Sequence, residues 1–441
     1  VTALVAGDRR GTVLRHRDFR LFWVGQTTST FGSAITAVAL PLVAVGALNA
    51  STLHVAALQA AVWLPWLLIG LPAGVWVDRL RRRPVMITCN TVSLLLVASV
   101  PAAAWLNALT IAHLLTVALL AGAAAVFSET AHQVYLPSLL SGDRLAEGNA
   151  KLHGSEAAAQ VAGPGAGGLI AQLLGAVFGL LADASTFLVC TVCLLTLRHR
   201  EPRPSPRTPH RPLLGELTEG LRFLRHDPYL RTMAVFGAAA NLALTGYQSI
   251  LVVFLVRENA VTEPGTVGVI LALMSGGGVL GALVATTVAR RCGTARGLLL
   301  CHLATAPFAL LIPLAGPGPG LTLVVLAGTA VGTGIVAGNI IKDSFRQTYT
   351  PRHLLGRVVT GMQLVNYGTM PLGALLGGLL GTALGVRPAV WIMTGALVLS
   401  TGILLTGPIR HHRDLPDSPG RPAHVPAEPP RARDDPAPAD G

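Results

Sequence analysis

Residues 70–84 read GLPAGVWVDRLRRRP. The first part closes an apolar run that begins near residue 54, Asp78, Arg79, Arg81, Arg82 and Arg83 follow at once, and a second apolar run starts at Pro84. Each run has the roughly 20 residues that a helix needs to cross a hydrocarbon core about 30 Å thick. A turn this rich in charge cannot lie in hydrocarbon, so the stretch reads as a helical hairpin with its bend in water and its arginines on the cytoplasmic side.

Working outward from this hairpin, the same alternation predicts twelve membrane spans, at 20–48, 54–77, 84–106, 110–134, 155–174, 177–197, 229–256, 266–289, 297–315, 320–341, 355–385 and 387–407. When the loops are sorted alternately, 31 of the 33 basic residues fall on the side of Arg79–Arg83, and only Arg257 and Arg387 fall opposite. That asymmetry makes the basic side cytoplasmic, places both termini there, and checks the count, because one missed span would reverse every later loop.

Composition agrees. Of 441 residues only 12% are charged and 51% are hydrophobic, with 49 glycines besides, which is too little polar surface for soluble domains of this length. The net charge of +12 would otherwise suggest nucleic acid, but the basic residues are spread over loops between apolar runs. The five cysteines lie mostly in or beside those runs, where a thiolate is costly, so Cys190 and Cys193 are not read as a redox pair. The first apolar run is too long for a cleavable signal and is expected to stay as an anchor.

Five segments follow: a cytoplasmic N-terminus at 1–19, a six-helix bundle at 20–197, a linker at 198–228, a second six-helix bundle at 229–407 and a tail at 408–441. The linker opens Pro-rich and basic, then spaces Leu213, Leu214, Leu217, Leu221 and Leu224 as an amphipathic helix on the inner membrane surface, with Asp227-Pro228 as cap and first turn of the next span. The Pro-rich tail has too few apolar residues to fold. The bundles echo each other at an offset of about 210 residues, as inverted or parallel transporter repeats do: Gly70, Gly74 and Asp78-Arg79 correspond to Gly281, Ala285 and Ala289-Arg290, so the second copy lacks the Asp. Gly163-Pro164-Gly165 and Gly167 likewise correspond to Gly373 and Gly377. Gly373, Gly377, Gly381 and Gly385 step by four and offer a nearly bare backbone to a neighbouring helix.

The 70–84 stretch resembles the loop between helices two and three of the major facilitator superfamily, carried here by Gly74, Asp78, Arg79, Arg81, Arg82 and Arg83. RDFRLFWVGQ with ALPL, YLPSLLSGDRLAEGN with AGPGAGG, LADASTF, and SFRQTYTPRHLLGRV with MPLGALLGG resemble that superfamily's bacterial exporter branch, which includes macrolide-type drug and siderophore exporters. The similarity runs from about residue 15 to 405. It implies an all-α integral membrane protein of the major facilitator fold, in which two six-helix pseudo-repeats rock about a central site. It also implies gating roles for Gly74, Asp78, Arg79, Arg82, Arg83, Gly163, Pro164 and Gly167, with Asp78 in a charge cluster near the start of helix eleven.

Ionisable residues inside spans are functional candidates. Glu129, with His132 a turn on, Glu156 and Asp183 are the candidates for proton coupling, although Asp183 also suits a structural hydrogen bond. Gln26, Thr27, Thr30 and Ser33 on span one, Asn241, Tyr247 and Gln248 on span seven, and Gln363, Asn366 and Tyr367 on span eleven are candidates for lining the substrate cavity. These spans carry no cation at mid-depth, which favours a bulky apolar or amphipathic solute over phosphate, sulfate or organic anions. Many relatives carry an acid near the position of Ser33 and an Arg in helix four, and both are missing here. No GxxxxGK[ST] occurs, so ATP is not the direct energy source. No catalytic set, metal site or cofactor is expected.

The expectation is a monomeric, proton-driven exporter of a lipophilic drug, antibiotic or siderophore-like metabolite, multi-pass in the bacterial cytoplasmic membrane, whose partners are substrate, protons and lipids. An importer or lipid transporter of the same fold, and a non-transporting receptor or scaffold, remain as alternatives.

Overall fold

A computed structural model describes residues 13–140, 143–199, 213–416 and 418. The first twelve residues, the Pro-rich start of the linker and the tail from residue 419 on lie outside the described residues, while the start of the tail, expected to be disordered, forms a 3₁₀ turn at Pro408–His411 and packs Ile409 and Leu415 into the second half.

Six helices form the first half: α1 (Arg17–Gly46), α2 (Thr52–Arg79), α3 (Arg82–Trp105), α4 (Ile111–Leu139), α5 (Asp143–Leu173) and α6 (Ala176–Leu195). After the linker helix α7 (Leu213–His226) come α8 (Pro228–Val253), α9 (Pro264–Cys292), α10 (Thr294–Thr305), α11 (Leu321–Tyr349), α12 (Arg352–Ala383) and α13 (Val386–Thr406). A single π-type turn, Phe254–Glu258, prolongs α8, and a 3₁₀ turn, Ala306–Leu311, prolongs α10. Eleven of the helices or helix segments among the described residues are long and apolar enough to cross a membrane. The twelfth bundle helix, α5, has 31 residues, starts twelve residues before the predicted span, and carries the polar text DRLAEGNAKLHGSEAAAQ in its first part.

Local chemistry explains the boundaries. Ser51, Thr110 and Asp227 cap α2, α4 and α8 with their side-chain oxygens, and Pro228 takes the first position of α8 as expected. Gly175 (φ 100°) and Gly385 (φ 95°) make the turns between the fifth and sixth helices of the two halves. Both φ values lie where a Cβ is disfavoured, and the glycines recur at the repeat offset.

The halves also pack alike. In the first, α1 packs on α5 and α6, α2 on α4, and α3 on α4 and α6. In the second, α8 packs on α12 and α13, α9 on α11, and α10 on α11. Gly163 and Gly167 of α5 touch Ala34 and Ile35 of α1, while Gly373 and Gly377 of α12 touch the backbone of Leu242 and Gly246 of α8. A Cβ at these glycines would collide with backbone or a Cβ, so each pair of helices approaches as closely as small residues permit. Two seams join the halves, α2 against α12 and α5 against α9. The described part of α7 packs on α12: Gly220 lies on the Arg357 carbonyl, Leu221 covers Gly361, Leu224 is buried, and Glu219 pairs with Arg357 at 2.7 Å.

Candidate functional site: two cavities of opposite charge

The seams are closed at one end. On α5 and α9, Gly168 meets Gly268 and Gln172 meets Gly265; on α2 and α12, Thr52 meets Gly381 and Leu53 meets Gly378, with Leu67 against Gly368 nearer mid-depth. All but the last lie toward the end remote from Arg79–Arg83. There Arg257 donates from Nη2 to the Ala50 carbonyl at 2.6 Å, tying the second half to the first. Arg387 donates to the Pro313 and Ala315 carbonyls. Toward the arginine-rich end, a Cβ on Gly70, Gly74, Gly154 or Gly356 would meet nothing within 4 Å. The Glu129 and Glu156 side chains there are 44% and 52% exposed. The molecule is sealed at one end and open at the arginine-rich end.

A cavity of about 820 Å³ lies between the halves. Its first-half wall carries the carboxylates of Glu129, Glu156 and Asp183, the indoles of Trp63 and Trp66, and Phe187; among the described residues no Lys or Arg lines it. The two indoles pack against Tyr367 of α12, with ring centroids 5.8 and 5.5 Å apart. Glu129 faces His132 at 3.6 Å and accepts from Gln133 at 3.2 Å. His132 Nδ1 lies 3.0 Å from Gln26 Nε2, so a polar chain runs from α4 to α1. Asp183 is buried; Thr36 donates to it at 2.6 Å and Thr186 at 3.2 Å, and a Cβ on Gly32 would overlap its carboxylate.

A second cavity, of about 270 Å³, lies within the second half among α8, α10, α11, α12 and α13. Lys342, Asp343 and Arg346 line it, Asp343 paired with Arg346 at 3.0 Å.

The predicted lining residues divide between these spaces. Gln26, Thr30, Ser33, Tyr247 and Gln248 line the larger cavity together with Pro164, Glu129, Glu156 and Asp183. Asn241, Gln363, Asn366 and Tyr367 line the smaller one, which adjoins the larger at Leu244, Val331 and Ile335 and where Tyr367 meets Trp63 and Trp66 of the larger wall. Of the predicted gating residues, Gly163 and Gly167 face α1 inside their own half, and the Pro164 carbonyl meets Gly268 across the seam. Arg83 donates to the Leu194 and Leu195 carbonyls at 2.9 Å each and so holds the end of α6 to α3. Arg79 is exposed, Arg82 is half-buried, and the Asp78 side chain lies outside the described residues.

Sequence reading missed Lys342, Asp343, Arg346, His302 and Asn339, which lie on α10 and toward the end of α11 rather than on the three helices it singled out as cavity-lining. The charges after residue 341 read as a loop in the sequence, whereas α11 runs to Tyr349. The signal was present: buried Val331, Gly334, Ala337, Ile341, Phe345 and Tyr349 continue at helical spacing straight past the charges.

A family model described as transmembrane secretion effector matches residues 12–428. The multidrug efflux pump Tap of Mycolicibacterium fortuitum is 31% identical over 390 residues, 86% of this chain and 91% of that protein. The enterobactin exporter EntS of Shigella dysenteriae is 27% identical over 414 residues, 91% of this chain and 94% of that protein. Among solved structures, the nucleoside transporter NupG matches with a TM-score of 0.72 at 13% identity, over 88% of this chain and 98% of that one. A bacterial homologue of the iron transporter ferroportin matches with a TM-score of 0.70 at 15% identity, over 88% of this chain and 98% of that one. Two pseudo-repeated six-helix bundles around a central cavity, matched to the transmembrane secretion effectors over nearly their whole length, make this chain a member of that branch of the major facilitator superfamily and a multi-pass membrane transporter.

Proposed function

We propose that the protein is a proton-driven exporter of bulky, lipophilic, amphipathic compounds, working as a monomer in the bacterial cytoplasmic membrane with its arginine-rich end inside. The observation that carries this reading is the 820 Å³ cavity, walled by aromatic rings and carboxylates and open at the arginine-rich end. The positive-inside rule makes that end cytoplasmic, so the cavity loads from the cell interior. The similarity to a multidrug efflux pump and a siderophore exporter supports the outward direction.

Glu129 supplies the coupling. With the cavity open, Glu129 is 44% exposed and keeps its charge in water. Rocking the halves shut at this end removes that water, and a carboxylate enclosed in apolar surroundings is costly unless a proton or a positively charged solute neutralises it. A solute that loads from inside and a proton that returns from outside therefore compete for the same acid, which is antiport. His132 and Gln26 extend from Glu129 toward α1 as the polar path along which the proton moves.

The test is accumulation of macrolides, siderophores and cationic dyes in a pump-deficient host, with and without the protein and before and after a protonophore. The reading expects lower accumulation that the protonophore reverses. Unchanged accumulation across the panel, or lower accumulation that is indifferent to the protonophore, would overturn it.

A further inference from the structure

The smaller cavity holds more hydrogen-bond donors than the protein uses. Lys342 and Arg346 bring two positive charges against the single carboxylate of Asp343, which Arg346 takes at 3.0 Å, and Lys342 has no ion pair among the described residues. The Nε of Arg346 is buried without a partner, and its Nη1 reaches only the Met362 sulfur, at 3.9 Å. His302 is 6% exposed, lines the same space, and its Nε2 also has no partner. The carboxamides of Asn241, Asn339, Gln363 and Asn366 face this cavity, and none of them donates to a protein acceptor among the described residues. Gln363 is exposed and the three asparagines are half-buried, so water reaches them, but Arg346 Nε and His302 Nε2 are buried, where polar groups are ordinarily satisfied, and the cavity carries one more positive charge than negative.

Water can satisfy a carboxamide, but it brings no countercharge to the excess positive charge that Lys342 and Arg346 leave over Asp343. An oxyanion satisfies both, because it brings the countercharge and accepts several donors at once. We propose that this cavity is an oxyanion site, taking a carboxylate or phosphate attached to a compact apolar body. Lys342 supplies the charge, the Arg346 guanidinium and the carboxamide of Gln363 supply directional donors, and Phe236 and Leu397 receive the apolar part. With a volume of about 270 Å³ the site suits a single substituted ring rather than a large amphiphile.

The anion has two sources, the transported compound itself or the phosphate of a lipid headgroup. The proposal rests on the transport reading only for the first of these.

The experiment uses the full chain in phosphatidylcholine nanodiscs and measures equilibrium binding of radiolabelled salicylate, with benzyl alcohol as a neutral competitor. A parallel arm measures retention of phosphatidylglycerol by the detergent-purified protein in native mass spectrometry. The expected result is saturable salicylate binding that benzyl alcohol does not displace, weakened about tenfold or more by Lys342→Gln and retained within about threefold by Lys342→Arg. Gln363→Leu, which leaves the charges untouched, is expected to weaken it about threefold and serves where Lys342→Gln does not fold. Lys342-dependent retention of phosphatidylglycerol without salicylate binding upholds the oxyanion site and assigns it to headgroup phosphate. Binding of neither anion, or binding that Lys342→Gln and Gln363→Leu leave unchanged, overturns it. Because binding is read without flux, a protein that exports but binds neither anion sinks this site alone. A protein that binds but does not export sinks the transport reading alone.

Discussion

The two halves share a backbone plan and differ in charge. In both, the fifth helix meets the first through glycines at the repeat offset, Gly163 and Gly167 in one, Gly373 and Gly377 in the other, and a glycine with positive φ turns the chain into the sixth helix. Yet the first half lines its cavity with Glu129, Glu156 and Asp183 and, among the described residues, no Lys or Arg, whereas the second lines its own with Lys342 and Arg346 against Asp343. Close helix packing tolerates few side chains, so the copies kept the same small residues where backbones touch. Cavity walls are bound by no such packing, and there the two copies diverged into opposite chemistry.

Neutralising the acidic side is the most damaging test of this contrast. Glu129→Gln is expected to cut proton-driven efflux about tenfold or more, equivalent to about 1.4 kcal/mol or more in the cycle, with the melting temperature of the purified protein little changed because the side chain is half exposed. Full flux in this variant would remove the acid from the coupling step and break the functional half of the comparison. The shared backbone plan is tested by Gly377→Val, whose side chain would run into the backbone of Gly246. A cost of about 1–3 kcal/mol should appear as lost monodisperse protein on size exclusion, while Gly74→Ala, with open space around it, should behave as the native chain. Asp183→Ala sorts the acids further: losing the acceptor for Thr36 and Thr186 should destabilise by about 2 kcal/mol, read as a lower melting temperature, with flux per folded molecule preserved. Flux lost beyond the loss of protein would give Asp183 a coupling role instead.

Much of the fold was legible, and its errors share one cause. Apolar runs of membrane length and the one-sided arginines specify a twelve-span plan because hydrocarbon tolerates neither charge nor open backbone. The same rule misleads where a helix leaves the hydrocarbon but remains a helix. The first turns of α5, from Asp143, and the last of α11, through Lys342 and Arg346, are polar and were read as loops. The candidate site was half legible for a related reason. Gln26, Thr30, Ser33, Tyr247 and Gln248 lie on helix faces that a sequence can identify, and they share a cavity. Asn241, Gln363, Asn366 and Tyr367 lie on equally plausible faces, but how α8, α11 and α12 tilt against one another decides that these open into a neighbouring space, which shares Leu244, Val331 and Ile335 with the larger one. Residue spacing along single helices carries no information about that tilt.

The charge difference between the halves extends to the sealed end, where the smallest effect is expected. Here too the second half supplies the cation and the first half the acceptor: Arg257, in the π-type turn after α8, donates to the carbonyl of buried Ala50 between α1 and α2. A charged donor on a carbonyl is worth about 1.5–3 kcal/mol when fully enclosed, and partial exposure of this bond lowers the figure to about 1 kcal/mol. That amount shifts a two-state equilibrium about fivefold, so Arg257→Ala should enlarge the population opened at this end by about that factor. Spin labels introduced by Gly46→Cys and Thr262→Cys, residues that flank a small apolar pocket at the sealed end, would report the shift as growth of the longer-distance peak. An unchanged distance distribution would mean that the Gly168–Gly268 and Leu53–Gly378 contacts hold the seal by themselves. Charge would then separate the halves only in their cavities, and the seal would belong wholly to the small-residue packing that the halves have in common.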